Sequence, residues 1–421
     1  MNLQIKEGIT LFDRQYQSCC GNGKHSHYLP EEEAFRIVWD EGTRIGITRI
    51  ADVTGFDRVG IPVYNSIKPT TNGSCVQHGK GLTRTSSKIS ALMESFERYH
   101  SVNPDIKSFE ATYDEVSRDM AVIPFEKLLH IKGSLLRKDM PILWTEGWDI
   151  ANNVKTAAPL AMVELAGKKS QNKTFKTGHM QVSSNGLSAG FHILEAIIQG
   201  LLEVIERDGI TCHTYKSGAL KLPVPEKLIE PESIPYPEVK ELFEIFTKAG
   251  IAPFLYDCST DIGIPVYNCF LFDNLHPEYM CVHGMGAGLH PREAMLRALT
   301  ESAQSRVVFN AGSRDLFFQE EFEISCNNSS RAIFPIAQKQ KKYTFDSTQE
   351  IEEMPDYVKQ INYCIHKLKS SGMEQVLIFP LVPENNKIQV VRVLVPGAEG
   401  YIVSSYYPGD RALDYLKGVK K

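Results

Sequence analysis

The stretch "SSNGLSAGFHILEAIIQGLLEVIERDG", residues 183–209, decides how this chain is read. Ile197, Ile198, Leu201, Leu202 and Ile205 spread oil around most of a helix, which predicts wide burial. Yet Glu195, Gln199, Glu203 and Glu206 stand at positions 0, +4, +8 and +11, and those positions share one helical face. A buried helix with one narrow acidic stripe, entered through a glycine-rich turn, is an unusual thing to build once.

This chain builds it three times. "HGKGLTRTSSKISALMESFERY" (78–99) puts Ser86, Ser90, Glu94 and Glu97 on one face, with Ile89, Leu92, Met93 and Phe96 around the rest. "GMGAGLHPREAMLRALTESAQSRVVFNAGSRD" (284–315) does the same with Glu293, Arg297, Glu301 and Gln304 beside Met295, Leu296 and Leu299. From the last glycine of each entry to the key glutamate is 13 positions every time: Gly81 to Glu94, Gly190 to Glu203, Gly288 to Glu301. The hexapeptide "GIPVYN" precedes the first and third copies, at 60–65 and 263–268. Such internal periodicity predicts related strand–helix units in an α+β fold with mixed sheets.

An acidic stripe that merely meets water need not repeat position by position. Glutamates three residues apart on a helix also repel, a cost that calls for a compensating cation. If the helices converge, Glu94, Glu97, Glu195, Glu203, Glu206 and Glu301 form an all-oxygen donor set, which suits Mg²⁺ or Ca²⁺ over zinc. Lys80, Arg98, Arg207 and Arg297 supply phosphate-binding charge, and the glycine turns bring backbone N–H groups to helix N-termini. Mg²⁺ takes few carboxylates and fills its shell with water and phosphate, so the set predicts ATP with several metal ions. No P-loop, dinucleotide fingerprint or kinase motif is present.

The remaining bulk properties exclude more than they assign. The chain has 421 residues, 42% hydrophobic and 23% charged, with a net charge of −5, so nothing draws it to nucleic acid or membrane surfaces. The start "MNLQIKEGIT" lacks a signal-peptide pattern and no long apolar run occurs, which predicts a cytoplasmic protein. Nine scattered cysteines without a C-x-x-C read as reduced thiols.

At these residues the chain resembles the YcaO superfamily, a match extended by "TRIADVTGFDRVGIPV" (48–63) and "VVRVLVPGAEGY" (390–401). The resemblance implies a nucleotide and Mg²⁺ ions among the helix glutamates. It implies Glu94, Glu97, Glu203, Glu206 and Glu301 as metal ligands. Lys80, Ser90, Glu97, Arg98, Ser188, Glu195, Gln199, Glu206, Arg207 and Arg297 are expected at the nucleotide, with Glu203 and Arg297 in catalytic roles. The family commonly has Asn after the second glycine, whereas Phe191 and His192 stand here. Members use ATP to phosphorylate a backbone amide oxygen; a neighbouring side chain then gives an azoline, or external sulfide a thioamide.

Azoline-forming members commonly end in PxPxP, and this chain ends "RALDYLKGVKK". The segment "GITRIADVTGFDRVGIPVYN" (46–65) looks most like the stand-alone, TfuA-associated thioamide branch. That likeness implies a peptide or protein substrate such as a glycine of methyl-coenzyme M reductase, a sulfide source and a TfuA-like partner, with a homodimer as an expected assembly. Azoline-forming cyclodehydration stands as the alternative, and a non-catalytic, nucleotide-bound accessory of sulfur transfer as a third. The domain reading is an N-terminal extension over 1–45 and one YcaO domain over 46–421.

Elsewhere, His290 in "GLHPREA" reads as a helix-entry residue with a local hydrogen bond, and Cys212 and Cys281 as core-filling thiols. Residues 236–258 predict an amphipathic helix, a glycine C-cap and a strand. The loop-like segment 312–360 is a candidate peptide groove, although its charge runs equally suit a solvated surface.

Overall fold

The sequence repeat is a repeat of backbone register. The two "GIPVYN" segments feed the strands Val63–Ile67 and Val266–Asp273, rich in the β-branched and aromatic residues that suit a pleated surface. Each pairs antiparallel with the next strand, Val76–Lys80 or Val282–Ala287, so that Tyr64 faces Gly79 and Tyr267 faces Gly286. The helices Arg84–Val102 and Pro291–Ala311 follow and lie directly on those glycines. A Cβ on Gly79 would sit 2.1 Å from Ala91 N, and one on Gly286 would sit 2.2 Å from Ala294 O. Only glycine allows so close an approach.

The computed structural model describes residues 8–12, 14–21, 27–71, 74–165, 179–312, 329–347, 350–351, 353–400 and 406–418. The chain forms two compact units. One comprises Gly42–Ser95, Cys212–Glu353 and Asp414–Lys421. It holds a three-stranded sheet, Arg49–Asp52, Val63–Ile67 and Val76–Lys80. Its five-stranded sheet runs Val282–Ala287, Val266–Asp273, Ile251–Asp257, Leu228–Ile229, Lys342–Tyr343, the last pair parallel. The expected helix-to-strand step is present: Pro237 opens the helix Pro237–Lys248, Gly250 turns at φ 72°, and Ile251–Asp257 follows. Val239, Leu242 and Phe246 face inward at i, i+3 and i+7, and burying a side chain such as Phe246 contributes about 1.5–3 kcal/mol.

The other unit comprises Met1–Glu41, Phe96–Thr211 and Met354–Leu413. Its sheet runs Leu187–Gly190, Gln389–Leu394, Leu377–Pro380, Ile142–Asp149, Val154–Pro159, Ala121–Val122, with Ser108–Ala111 also on Ile142–Asp149. Here lies the second copy of the repeat. Its strand Leu187–Gly190 leads into the helix Ile193–Ala219, yet its sheet neighbour, Gln389–Leu394, comes from far along the chain. That is why no third "GIPVYN" precedes it. Ser188 takes the place of Gly79 and Gly286, its hydroxyl donating to Ala196 O. Room comes from the helix instead: a Cβ on Gly200 would lie 2.7 Å from Val393 Cγ2.

The N-terminal residues are woven into this unit. The hairpin Ile9–Leu11 and Arg14–Tyr16 ends in an Arg14–Glu384 ion pair, and Tyr357 N–H donates to Cys19 O at 2.8 Å. No helix among the described residues is long and apolar enough to cross a membrane. Of the loop-like segment expected at 312–360, residues 313–328, 348–349 and 352 lie outside the described residues, and Ser330–Gln338 is helical.

Candidate active site

Each of the three repeat helices is capped two residues after its last glycine, and each by a side chain. Thr83 Oγ1 accepts from Ser86 N–H at 2.9 Å. His192 Nδ1 accepts from Leu194 N–H and His290 Nδ1 from Arg292 N–H, both at 3.2 Å. Side-chain acceptors at this position satisfy donors that the first turn leaves open. His290 therefore has the local role its position suggests. Phe191 and His192, where the family pattern has Asn, are likewise engaged in the helix entry, Phe191 N–H donating to Glu195 Oε2 at 2.8 Å.

The acidic stripes are not solvated faces. Glu195 is 4% exposed and Glu206 8%, and Glu94, Glu97, Glu203 and Glu301 are all partly buried. In the unit that carries the first and third repeats, the key glutamates are held identically. His78 N–H donates to Glu94 Oε2 at 3.2 Å, and Met285 N–H to Glu301 Oε1 at 3.3 Å. His78 and Met285 each lie three residues before the last glycine of their entry, so this is one contact made twice. Opposite them across the ladder stand Asn65 and Asn268, the last residues of the hexapeptides. Each asparagine also contacts a histidine ring: Asn65 Oδ1 lies 2.7 Å from His78 Nδ1, and Asn268 Oδ1 lies 3.1 Å from His283 Nδ1. Lys80 N–H donates to Ser90 Oγ at 3.4 Å, and the Lys80 ammonium forms an ion pair with Glu301. Arg297, partly buried, stands one turn before Glu301 on the same helix.

In the other unit, Glu97 Oε1 accepts from Ala189 N–H at 2.9 Å, beside Ser188. Arg207 reaches back along its helix, with Nε 3.4 Å from Glu206 Oε1 and 4.0 Å from Glu203 Oε1. Burial pushes the Glu203 carboxyl up to about 7. Arg207, Arg392 and Arg98 oppose that rise by attraction, while Glu206 adds to it. Gln199 lies one turn before Glu203, partly buried. Glu195 Oε1 accepts from Tyr28 N–H at 3.0 Å and stands 3.4 Å from His27 Nδ1. The Tyr28 ring packs on His192 at 5.2 Å.

Three participants were not singled out from the sequence: Arg392, Asn65 and Asn268. A lone arginine inside the apolar run "QVVRVLV" is a legible signal, since a charge rarely enters a buried strand without a task. Arg392 is 1% exposed. Its Nε donates to Val163 O at 3.1 Å and its Nη1 to Asn185 O at 2.8 Å, while Nη2 has no partner among the described residues. Burial lowers its pKa to about 10, and the negative charges of Glu203 and Glu97 pull the other way.

Oxygen donors, arginine forks and glycine-lined turns fit a magnesium nucleotide. Among the described residues, no three His, Cys, Asp or Glu side chains stand at metal-holding distance.

Known proteins resemble this chain along most of its length. Residues 78–399 match the family model described as "YcaO cyclodehydratase, ATP-ad Mg2+-binding". A protein of Methanothermobacter thermautotrophicus is 28% identical over 92% of this chain and 98% of its own length. A Rhizobium leguminosarum bv. trifolii protein, named for its place in the tfuA 3′ region, is 28% identical over 94% of each. Among solved structures, YcaO from Methanopyrus kandleri bound with AMPPCP and Mg²⁺ aligns with a TM-score of 0.66 at 22% identity, covering 89% of this chain and 92% of that one. A heterocyclase in complex with substrate and cofactor aligns with a TM-score of 0.76 at 18% identity, covering 96% of this chain and 57% of that one.

Proposed function

Since the chain belongs to the YcaO family, we propose that it uses Mg·ATP to activate a backbone amide of a peptide or protein, and that external sulfide completes the exchange to a thioamide. The observation that carries the nucleotide part is the duplicated hold on Glu94 and Glu301, each fixed through a strand N–H. A carboxylate pinned by one oxygen has its direction set, and at Glu301 the other oxygen is paired with Lys80 until a metal takes it.

Mg·ATP, when bound, supplies the phosphoryl group that turns the amide oxygen into a leaving group. The atoms balance without redox change: the amide oxygen departs in phosphate, sulfide sulfur takes its place, and the sulfide proton leaves with phosphate. In this reading Glu94, Glu97, Glu203, Glu206 and Glu301 hold Mg²⁺, and Arg207 and Arg297 grip phosphate oxygens through planar forks. Lys80, Ser90, Arg98, Ser188, Glu195 and Gln199 line the nucleotide. Glu203 and Arg297 act on the transferring group, holding charge where it develops.

The thioamide branch is supported by the relative in the tfuA 3′ region and by the segment 46–65. A backbone glycine, as in methyl-coenzyme M reductase, is the candidate target, with a TfuA-like protein as partner. The family description favours a second reading, azoline formation by cyclodehydration. Incubating a glycine-containing peptide with Mg·ATP, with and without sulfide, separates them by mass. Sulfide-dependent replacement of one oxygen by sulfur is expected. Loss of one water without sulfide, from a peptide bearing Cys, Ser or Thr, establishes the azoline branch instead.

A further inference from the structure

Resting on that reading, we propose that Arg392 is a positioning residue for Glu203, replacing on the second repeat the strand N–H that holds the equivalent glutamate on the other two. Leu187 lies three residues before Gly190, the position held by His78 and Met285 in the other copies. Its N–H is not turned to the helix glutamate; it donates to Ser184 O at 2.9 Å. Glu203 thus lacks the contact that fixes Glu94 and Glu301.

The same register supplies the substitute. Asn65 faces His78, Asn268 faces Met285, and Arg392 faces Leu187. One ladder position therefore carries Asn, Asn and Arg in the three repeats. Two backbone carbonyls, Val163 O and Asn185 O, clamp the guanidinium through Nε and Nη1, leaving Nη2 open. A charged donor this buried is costly without a partner. Glu203 and Glu97 are the carboxylates whose negative charge acts on it. Arg98 and Arg207 also act on Glu203, but both are partly exposed, whereas Arg392 is sealed in the sheet. So enclosed and so clamped, it works through the carboxylate and not on the nucleotide.

The test is a double-mutant cycle read by calorimetric titration of Mg²⁺ with a non-hydrolysable ATP analogue. Wild type, Glu203→Gln, Arg392→Met and the double variant are compared, with circular dichroism checking each fold. Arg392→Met and Glu203→Gln are each expected to weaken metal binding about 10–100-fold, the usual effect of losing an outer-shell partner or a ligand. The double variant should bind no more weakly than Glu203→Gln alone. Arg392→Lys keeps the charge but gives up the fork, and it carries the same cycle if Arg392→Met does not fold. Additive losses, or unchanged binding in the Arg392 variants, would overturn the role of Arg392 while leaving the nucleotide site standing. Wild type that binds no magnesium nucleotide would overturn both.

Discussion

The ammonium of Lys80 is paired with Glu301, whose other oxygen accepts from Met285 N–H at 3.3 Å. Strand end and helix are thereby joined through a carboxylate expected to serve Mg²⁺. Both side chains are roughly one-fifth exposed, so the pair contributes about 1 kcal/mol or less to stability. Its larger effect is to occupy a ligand. Lys80→Met should change the melting temperature little without ligand, yet enlarge the rise produced by Mg²⁺ alone, because Glu301 is then open to the ion. A Mg²⁺-induced shift identical to wild type would show that Lys80 does not compete with metal.

Arg306, on the third-repeat helix, is bound by Asp57 at 2.9 and 3.0 Å and by Asp273 at 3.1 Å. Arg58 adds a second cation on Asp273 at 2.6 Å. Removing one member strands buried charge. Arg306→Met should destabilise the protein by about 3–5 kcal/mol in urea titration, more than Arg58→Met, which faces solvent in part. Equal, small losses would mean that water reaches Asp57.

The inward-facing thiols Cys258, Cys269, Cys281 and Cys364 are poor sulfur carriers. Burial raises the Cys269 and Cys364 thiols to about 12 and lifts Cys258 and Cys281 well above the ordinary range, so thiolate is scarce at neutral pH. Cys212 is fully buried, while Cys20 and Cys75 are exposed. Among the described residues, iodoacetamide should label Cys20 and Cys75 on the native protein, with the four buried thiols (Cys212, Cys258, Cys269 and Cys364) and the half-buried Cys281 reacting only after unfolding, as read by peptide mass mapping. Rapid native labelling of Cys281 would mean that its thiol is reachable and reactive, against its reading as a core-filling residue.

His100, in the last turn of Arg84–Val102, stacks on Phe96 and is pushed down to about 4 by burial. The unfolded imidazole titrates near 6.5, so between these values the unfolded chain binds the extra proton. The histidine's neutral burial costs nothing above pH 6.5, and stability is lost as pH falls toward 4, by up to about 3 kcal/mol. His100→Gln should flatten the dependence of melting temperature on pH across that window. An unchanged slope would assign acid sensitivity to other groups.

The helices and their acidic stripes were legible in the sequence because both depend on local spacing. Thirteen residues from glycine to glutamate, with a helical period between them, fix which side chains share a face whatever the rest of the chain does. The glycine entries at Gly79 and Gly286 were legible for a similar reason, since only contact with a backbone eight and twelve residues on excludes a Cβ there.

What the sequence left open is who stands across the ladder. Alternation tells which face of a strand is buried, but nothing local names its neighbour. Pairing of Gln389–Leu394 with Leu187–Gly190 is a tertiary event between distant segments, and it alone puts Arg392 in the position that Asn65 and Asn268 hold in the other repeats. The contact of Tyr28 N–H with Glu195 is likewise beyond any spacing rule. Glutamates were written by the sequence, and their partners were chosen by the fold, because a helix face is set by residues a few positions apart while a sheet neighbour is set by the packing of the whole unit.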